Sequence, residues 1–223
     1  MCYDTPKQEV DRMNRLKRFA LIVTAALCLL TPLLNHAAAV EVRSAELPVT
    51  EMMQDEQLLD QIRLTYQTAK KTARVKSFKG KCGRYAGLQL VVLGINTKYV
   101  GCNGKNAYDA YKNKTETSGG YRISAYSAKE YSLKEALQAI AANDSHARNI
   151  LVGFEKGTSK AGKKYGHVMF IHGIESGLVY FSDSYAQTVD GRQYKEGEPI
   201  VCSIDTFAEL YKRYKLDGVI HFE

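Results

Sequence analysis

Cys82 is the residue of this sequence whose surroundings best suit a nucleophile. It opens a predicted helix, Gly80 and Gly83 allow a sharp turn there, and Lys79 and Lys81 lie beside it. Unpaired N–H groups at a helix N-terminus and neighbouring ammonium groups both favour the thiolate, which is the reactive form of cysteine. Most free cysteines, however, are simply small buried residues that pack in a core. Cys82 therefore indicates catalysis only if a base is also found.

His167 is the candidate base. It follows Gly166 at the start of the predicted strand 166–174. Side chains alternate along a strand, so His167 and His172 should lie on opposite faces, and only one of them can meet Cys82. We expect that residue to be His167, with His172 as the second choice. For either residue, the alternative is a histidine whose hydrogen bonds are satisfied within the core.

Asp183 is the candidate third member of a triad. If Ser176 is the centre of the turn between two paired strands, the numbers of paired residues add up to twice 176, so His167 faces roughly position 185. Asp183 is then two residues away, on the same face and within diagonal reach. A carboxylate there can accept the imidazole N–H and fix its tautomer. The alternative is an aspartate that caps a strand end.

The elements that must position these residues predict a single α+β domain, with helices packed on a mostly antiparallel sheet. Helical spacing dominates the first half of the chain, whereas strand alternation dominates the second half. Ser132 and Glu135 form a capping box at the start of one helix. The predicted helices are 52–73, 82–94, 107–111, 132–142 and 207–214, and the predicted strands are 149–154, 166–174, 178–181, 199–203 and 218–222.

The first 39 residues have the order of a secretory signal peptide. A basic stretch at 13–18 precedes an apolar run of about 16 residues, and small residues follow at 37–39. The run is shorter than the roughly 20 residues that span a bilayer, so a retained membrane anchor is the weaker alternative. We therefore expect a secreted or wall-associated protein without stable membrane insertion. Residues 40–75 form a linker and N-terminal helix, or a propeptide, and the main domain covers 76–223.

Charge limits the expected partners. Loss of residues 1–39 would remove five basic and three acidic residues and lower the net charge from +7 to +5. A modest positive charge suits anionic wall polymers or lipids. No nucleic-acid motif and no long basic block occur in the rest of the chain, so we expect no nucleic-acid partner. We expect a monomer.

Cysteine usage indicates a free thiol. Cleavage of the signal leaves Cys82, Cys102 and Cys202, and an odd number in an oxidising compartment leaves at least one thiol unpaired within the chain. Cys102 and Cys202 can form a disulfide, or both can be free. Neither C-x-x-C nor H-x-x-x-H spacing occurs, so we expect no metal and no cofactor.

The motifs around Cys82 and His167 together resemble a known family. Gly-Lys-Cys82 opening a helix, Tyr85 one turn later, and the segment 104–109 resemble the first half of the CHAP family of cysteine, histidine-dependent amidohydrolases and peptidases. The strand motif Gly-His167-Val and the later Phe-Ser-Asp183 are similar to the family's second half. The likeness spans residues 78–186. It implies a papain-like fold.

The resemblance also implies a reaction and substrate contacts. It implies cleavage of amide bonds in peptidoglycan by a Cys82–His167–Asp183 triad through a thioester. Together with the tyrosine-rich stretch 99–131, it predicts that Tyr85, Asn106 and Tyr108 contact the substrate. Two residues depart from the family pattern, because Tyr108 replaces a common tryptophan and Asp183 replaces the more usual glutamate.

Three other functions fit the same residues. A secreted protease acting on protein substrates would share the whole triad, and a transferase would pass the same thioester to an amine. A non-catalytic wall-binding module could keep the histidine strand without using the thiol. The hydrolase interpretation is the one that gives Cys82, His167 and Asp183 a common role.

Overall fold

The structure is a computed structural model that describes residues 49–101, 105–158 and 164–223. The predicted signal peptide, the residues that follow it up to 48, and Cys102 lie outside these ranges. Within them, no helix is both long enough and apolar enough to cross a membrane. The described residues belong to one compact unit.

Helices come first in the described chain and strands dominate later, so the predicted α+β class is confirmed. The predicted strands are all present, whereas β1, β5 and β6 were not predicted. The helices are α1 (Val49–Ala73), α2 (Cys82–Val92), α3 (Lys105–Asp109), α4 (Leu133–Asn143) and α5 (Ile204–Tyr211). The strands are β1 (Ile123–Ser127), β2 (Arg148–Thr158), β3 (Lys164–Glu175), β4 (Leu178–Ser182), β5 (Gln187–Val189), β6 (Arg192–Tyr194), β7 (Ile200–Ser203) and β8 (Leu216–Phe222).

Six strands form one sheet in the order β1-β8-β2-β3-β4-β7, and each of these neighbours is antiparallel. A separate hairpin joins β5 to β6. β3 lies inside the sheet, with β2 on one side and β4 on the other. The start of β3 and the end of β4 therefore meet at one edge of the sheet, where His167 and Asp183 were expected to meet.

Helices cover both faces of the sheet. On one face, α4 and α5 bury a core that includes Ile140, Phe207 and Ile171 of β3. On the other face, α2 and α3 bury a second core that includes Leu90 and Phe170. A fully buried side chain of this kind contributes about 1.5–3 kcal/mol, so these two cores fix α2 against β3.

The long helix α1 packs beside α2 and on β4. Ala69 of α1 is fully buried in a cluster with Phe78 and Tyr85, and Ile62 packs on Tyr180 of β4. Loss of α1 would expose these aromatic rings to water. The helix is therefore packed on the rest of the described chain.

A β-bulge at His172 sets the register between β3 and β4. Near the turn, Glu175 pairs with Leu178 and Gly173 with Tyr180, but beyond His172 the pairing shifts and Phe170 faces Ser182. One extra residue in β3 thus changes which residues share a face. The shift brings the end of β4 into the predicted register with the start of β3.

The capping box at the start of α4 is confirmed. The Ser132 hydroxyl accepts a hydrogen bond from the Glu135 backbone N–H at 3.3 Å, and the Glu135 carboxylate accepts one from the Ser132 N–H at 2.7 Å. This reciprocal pair satisfies two backbone donors at the helix start. It fixes where the loop after β1 turns into α4.

Candidate active site

Cys82 is the first residue of α2, as the sequence predicted. Gly80 adopts a positive φ of 74°, which glycine reaches without strain, and the Lys81 N–H donates to the Phe78 carbonyl at 2.7 Å. Lys81 occupies the N-cap position but makes no side-chain capping hydrogen bond. The positive end of the helix is therefore open towards the thiol, which favours its ionisation.

The Cys82 thiol meets the His167 imidazole across the start of β3. The two side chains interact, since His167 lowers the pKa of Cys82 and Cys82 raises the pKa of His167. The sulfur also lies 3.9 Å from the carbonyl oxygen of Gly166. Cys82 is half-buried, whereas only 1% of His167 is exposed. The nucleophile can therefore be reached from solvent while the base is shielded from it.

Asp183 completes a hydrogen-bonded chain behind the imidazole. His167 Nε2 lies 3.2 Å from Asp183 Oδ2. Since Nε2 faces the carboxylate, the second ring nitrogen, Nδ1, is the one that faces the sulfur. The carboxylate is held by further donors: the Tyr211 hydroxyl at 2.7 Å, the Tyr185 backbone N–H at 3.1 Å and the Gln187 side-chain amide. It is a buried anion with its acceptor sites occupied.

Aromatic rings enclose the imidazole of His167. The rings of Phe154, Tyr211 and Tyr214 lie roughly parallel to it at centroid distances of 6.3, 5.7 and 5.3 Å, and Tyr185 is tilted at 5.7 Å. They remove water from the imidazole and restrict its rotation. Sequence analysis missed Phe154, Tyr211 and Tyr214, because these residues look like ordinary apolar positions of a strand and a helix.

The site favours the charged forms of both Cys82 and His167. Burial by itself would raise the pKa of Cys82, but the hydrogen bond and positive charge of His167 outweigh it and lower that pKa. Burial also opposes a charge on His167, yet Asp183 and Cys82 raise its pKa to about 9. A thiolate–imidazolium pair is thus the expected resting state between the two pKa values.

This ion pair predicts an unusual pH dependence of alkylation. Iodoacetamide should label Cys82 at mildly acidic pH, and labelling should fall only as pH drops through the lowered thiol pKa, because the thiolate is the reacting form. Mass spectrometry of the labelled peptide from pH 4 to 10 checks this. Cys202 is the internal control, since burial raises its pKa to about 12. Labelling of Cys82 that begins only near pH 8–9, as for an ordinary thiol, would contradict the ion pair.

The second histidine of β3 belongs to a different environment. His172 is buried on the opposite face, where its Nε2 lies 2.8 Å from Oε1 of Gln89 on α2. Burial lowers the pKa of His172 to about 3, so the ring stays neutral at physiological pH. This placement confirms the expected alternation and leaves His172 without access to Cys82. It joins the bulge of β3 to the helix that carries the nucleophile.

If Cys82 and His167 act as nucleophile and base, removal of the charge of Asp183 should slow the reaction that they catalyse. In Asp183→Asn, the imidazolium loses its counter-charge, so the pKa of His167 falls and the ion pair with Cys82 weakens. We expect a loss on the order of 10²-fold in kcat, within the range for acid–base catalysis, and an alkaline limit that moves to lower pH. The exposed Asp190 of the β5–β6 turn gives a matched control, Asp190→Asn. An unchanged pH profile in Asp183→Asn would exclude the assigned role.

Glu196 ties the segment before Cys82 to the rest of the domain. Its carboxylate accepts hydrogen bonds from the Tyr66 hydroxyl of α1 at 3.0 Å, from the Ser77 hydroxyl and from the Phe78 backbone N–H. These contacts fix the loop that leads into α2. No local sequence pattern marks Glu196, because its partners lie more than 110 residues earlier in the chain.

The residue after Glu196 reaches the other side of the site. The Gly197 N–H donates to the backbone carbonyl of Asp183 at 2.8 Å. Gly197 has a φ of 73°, and a Cβ there would lie 2.2 Å from the Tyr66 ring, so only glycine fits. Two consecutive residues therefore link the loop of the nucleophile to the loop of the carboxylate.

Removal of the Glu196 carboxylate should loosen this link. Glu196→Ala leaves three donors without their acceptor, and hydrogen bonds to charged groups contribute about 1.5–3 kcal/mol each. We expect the free energy of unfolding to fall by about 3 kcal/mol in urea titrations, less than three such bonds together, because Glu196 is only half-buried and water can bind its former donors. We also expect kcat to fall by a larger factor than KM changes. Glu198→Ala is the matched control, since Glu198 binds only Lys195 and Arg192 of its own loop. Equal effects of the two substitutions would argue against the link.

The three residues that were predicted to contact the substrate lie in different surroundings. Tyr85 is 2% exposed, its hydroxyl lies 2.6 Å from Ser182 Oγ, and its ring stacks on Phe78 at 4.9 Å. This placement argues against the predicted substrate contact, because Tyr85 faces the α1–α2 core. Tyr108 is half-buried on α3, with its ring over Gly218. Asn106 lies in α3, and its side chain is outside the described part of the structure.

Among the described residues, no three histidine, cysteine or acidic side chains form a group that could hold a metal. Cys202 is a buried free thiol in β7, and Cys102 lies outside the described ranges. Of the two alternatives for Cys202, the structure thus has the free thiol.

The fold and site define an α+β protein in which a half-buried cysteine lies beside a buried His–Asp pair at one edge of the sheet. Comparison of the chain with protein-family models gives no match. Comparison with curated proteins gives none either. The resemblance to the CHAP family therefore depends on the motifs around Cys82, His167 and Asp183.

Proposed function

We propose that this protein is an exported cysteine amidohydrolase or endopeptidase that cleaves amide bonds, with peptidoglycan as its substrate. The observation that supports the reaction most directly is that His167 interacts on one side with Cys82, whose pKa it lowers, and on the other with Asp183, whose Oδ2 lies 3.2 Å from its Nε2. A structural cysteine needs neither a charged partner nor a buried carboxylate behind that partner. A cysteine nucleophile is typically activated by an adjacent base, and that base is in turn oriented by a third group.

The geometry suggests a complete acyl transfer. The Cys82 thiolate attacks the amide carbonyl, and the backbone N–H of Cys82 at the helix start stabilises the oxyanion. His167 then gives its proton to the leaving amine, and the bond between carbon and nitrogen breaks to leave a thioester. His167 next removes a proton from water, and the water oxygen attacks the thioester carbonyl. The carbon–sulfur bond then breaks, which releases the carboxylic acid product and restores the thiolate–imidazolium pair. Asp183 orients the imidazole and stabilises its positive charge throughout.

Peptidoglycan is proposed on the basis of the CHAP resemblance and the charge of the chain. The net charge of +7, or +5 without residues 1–39, suits attraction to an anionic wall. The proposed location is outside the cytoplasm, in keeping with the predicted signal peptide. A monomer is sufficient for the reaction, because the three proposed catalytic side chains come from one chain.

The test is a pair of zymograms, one containing purified peptidoglycan and one containing casein. Clearing of peptidoglycan alone, with new amine termini in the released muropeptides, is the expected result. Clearing of casein alone would replace the proposal with a secreted protease. Binding to the wall with no release of fragments would favour the non-catalytic module and overturn the hydrolase proposal.

A further inference from the structure

A cleft of about 490 Å³ with six charged lining residues lies beside the end of β2, just after the residue that pairs with His167. Neither Cys82 nor His167 lines it, and the proposed chemistry leaves it without a role. It is bounded by α3, by the loop after β1 and by the start of β8. Its charged lining residues are three acids and three bases, namely Asp109, Glu155, Asp217, Lys112, Lys129 and Lys215.

The cleft reaches the nucleophile through β2. Phe154 of β2 pairs with His167 of β3, and Glu155 is the next residue of β2, where the regular pairing of the two strands is interrupted before Gly157. The Gly166 carbonyl is the one that lies 3.9 Å from the Cys82 sulfur. Adjacent strands are about 5 Å apart. Glu155 therefore starts the wall of the cleft one residue after the pair formed by Phe154 and His167, on the strand next to the one that carries Gly166. A peptide held at Cys82 would reach the cleft by crossing β2.

The charges of the cleft balance, although the whole chain is basic. Equal numbers of acidic and basic side chains do not attract a polyanion, because the two signs cancel at a distance. At short range they offer separate partners for an amine and for a carboxylate. A ligand with both groups close together matches such a lining better than a ligand with either group alone.

Ion pairs inside the cleft can exchange for a ligand at low cost. Lys215 pairs with Glu155 at 2.7 Å, with side-chain exposures of 76% and 35%. Lys112 pairs with Asp109 in the same way. Solvent-exposed ion pairs contribute only about 0–1 kcal/mol to stability. A ligand amine can therefore replace the ammonium group beside Glu155, while its carboxylate binds the released Lys215.

We propose that this cleft is a substrate subsite that binds a side chain ending in both a free amine and a free carboxylate, as in stem peptides that contain a diamino dicarboxylic acid. The proposal rests on the proposed function, because it assumes that a wall peptide occupies Cys82. It predicts that the protein prefers stem peptides that contain diaminopimelate to stem peptides that contain lysine, because the lysine side chain has an amine but no carboxylate.

The test measures binding without turnover. Isothermal titration of the Cys82→Ala protein uses three synthetic tetrapeptides, L-Ala–γ-D-Glu–X–D-Ala, in which X is diaminopimelate, lysine or diaminopimelate with its side-chain carboxylate amidated. We expect the first to bind about tenfold more tightly than the other two, which corresponds to about 1.4 kcal/mol. Equal affinities, or no binding of any of the three peptides, would overturn the subsite.

Substitutions of two cleft residues test whether these residues cause the preference for the diaminopimelate peptide. Glu155→Gln and Lys215→Gln, each combined with Cys82→Ala, should reduce the tenfold preference to about twofold or less. Both side chains are exposed enough that the fold should tolerate these changes. Glu209→Gln is the matched control, since Glu209 forms an exposed ion pair with Lys212 on α5, outside the cleft. A preference that persists in both cleft variants would overturn the assignment.

The two proposals can fail separately. If wild-type protein releases no muropeptides but the Cys82→Ala protein shows the diaminopimelate preference, the hydrolase proposal fails and the subsite is supported. If wild-type protein cleaves lysine-type and diaminopimelate-type walls equally and the titrations show equal affinities, the subsite fails and the hydrolase is supported.

Discussion

Replacement of Cys82 by alanine is expected to abolish release of muropeptides from purified peptidoglycan, with a loss of at least about 10⁴-fold. Alanine removes the sulfur that attacks the amide carbonyl, and no other cysteine among the described residues is close to His167. The helix start itself should be unaffected, because Cys82 is half-buried and its side chain does not cap α2. Chromatography of soluble muropeptides with mass detection measures the loss.

The matched control is Cys202→Ala. Cys202 is a buried thiol in β7 with a raised pKa, so its loss should change stability slightly and leave turnover intact. Circular dichroism should show that both variants are folded. If Cys82→Ala retained wild-type turnover, neither a thioester nor a cysteine nucleophile could be part of the reaction.

Local patterns were sufficient to predict the elements that carry the triad. The helix that starts at Cys82 follows from the glycine-rich turn before it and the apolar spacing after it. The strand of His167 follows from its alternation. These signals are local, because hydrogen bonding within a helix and alternation along a strand depend on nearby residues. The predicted class and the predicted strands were right for this reason.

The pairing register of β3 and β4 could not be predicted from local patterns. The prediction placed Ser176 alone at the centre of the turn, whereas the structure has a two-residue turn in which Ser176 and Gly177 both have positive φ. That turn by itself would move Asp183 to the face opposite His167. The bulge at His172 shifts the pairing by one residue and restores the expected face. The predicted contact is present because two deviations cancel.

Nothing in the sequence near His172 marks this bulge. The residue is held by Gln89, which lies 83 positions earlier on α2. The same is true of Tyr211, which donates to Asp183 from 28 positions away, and of the Glu196 contacts. Tyr85 was misjudged for a related reason, since the face of α2 that it occupies is covered by α1. Contacts between distant segments set these roles, and the local pattern of a single sequence does not record them.

Replacement of His167 by glutamine is expected to reduce turnover by about 10³-fold or more while the protein remains folded. Glutamine can still donate a hydrogen bond to Asp183 from its amide and can occupy much of the space that the imidazole fills beside Phe154 and Tyr211. It cannot exchange a proton near neutral pH, so it can neither support the thiolate nor protonate the leaving amine. Muropeptide release gives the rate, and urea unfolding shows whether the fold is retained.

A second measurement separates loss of the base from loss of structure. Without the imidazolium, burial of Cys82 is no longer offset, so the pKa of the thiol should rise, and alkylation at pH 6 should slow about tenfold for each unit of that rise. A merely structural histidine would not produce this change. His146→Gln is the control, since His146 is exposed and distant from the site. If His167→Gln kept the wild-type rate of alkylation at pH 6, another group would have to be the source of the lowered pKa of Cys82. In that case the interaction between Cys82 and His167 would be a packing contact and not the catalytic pair.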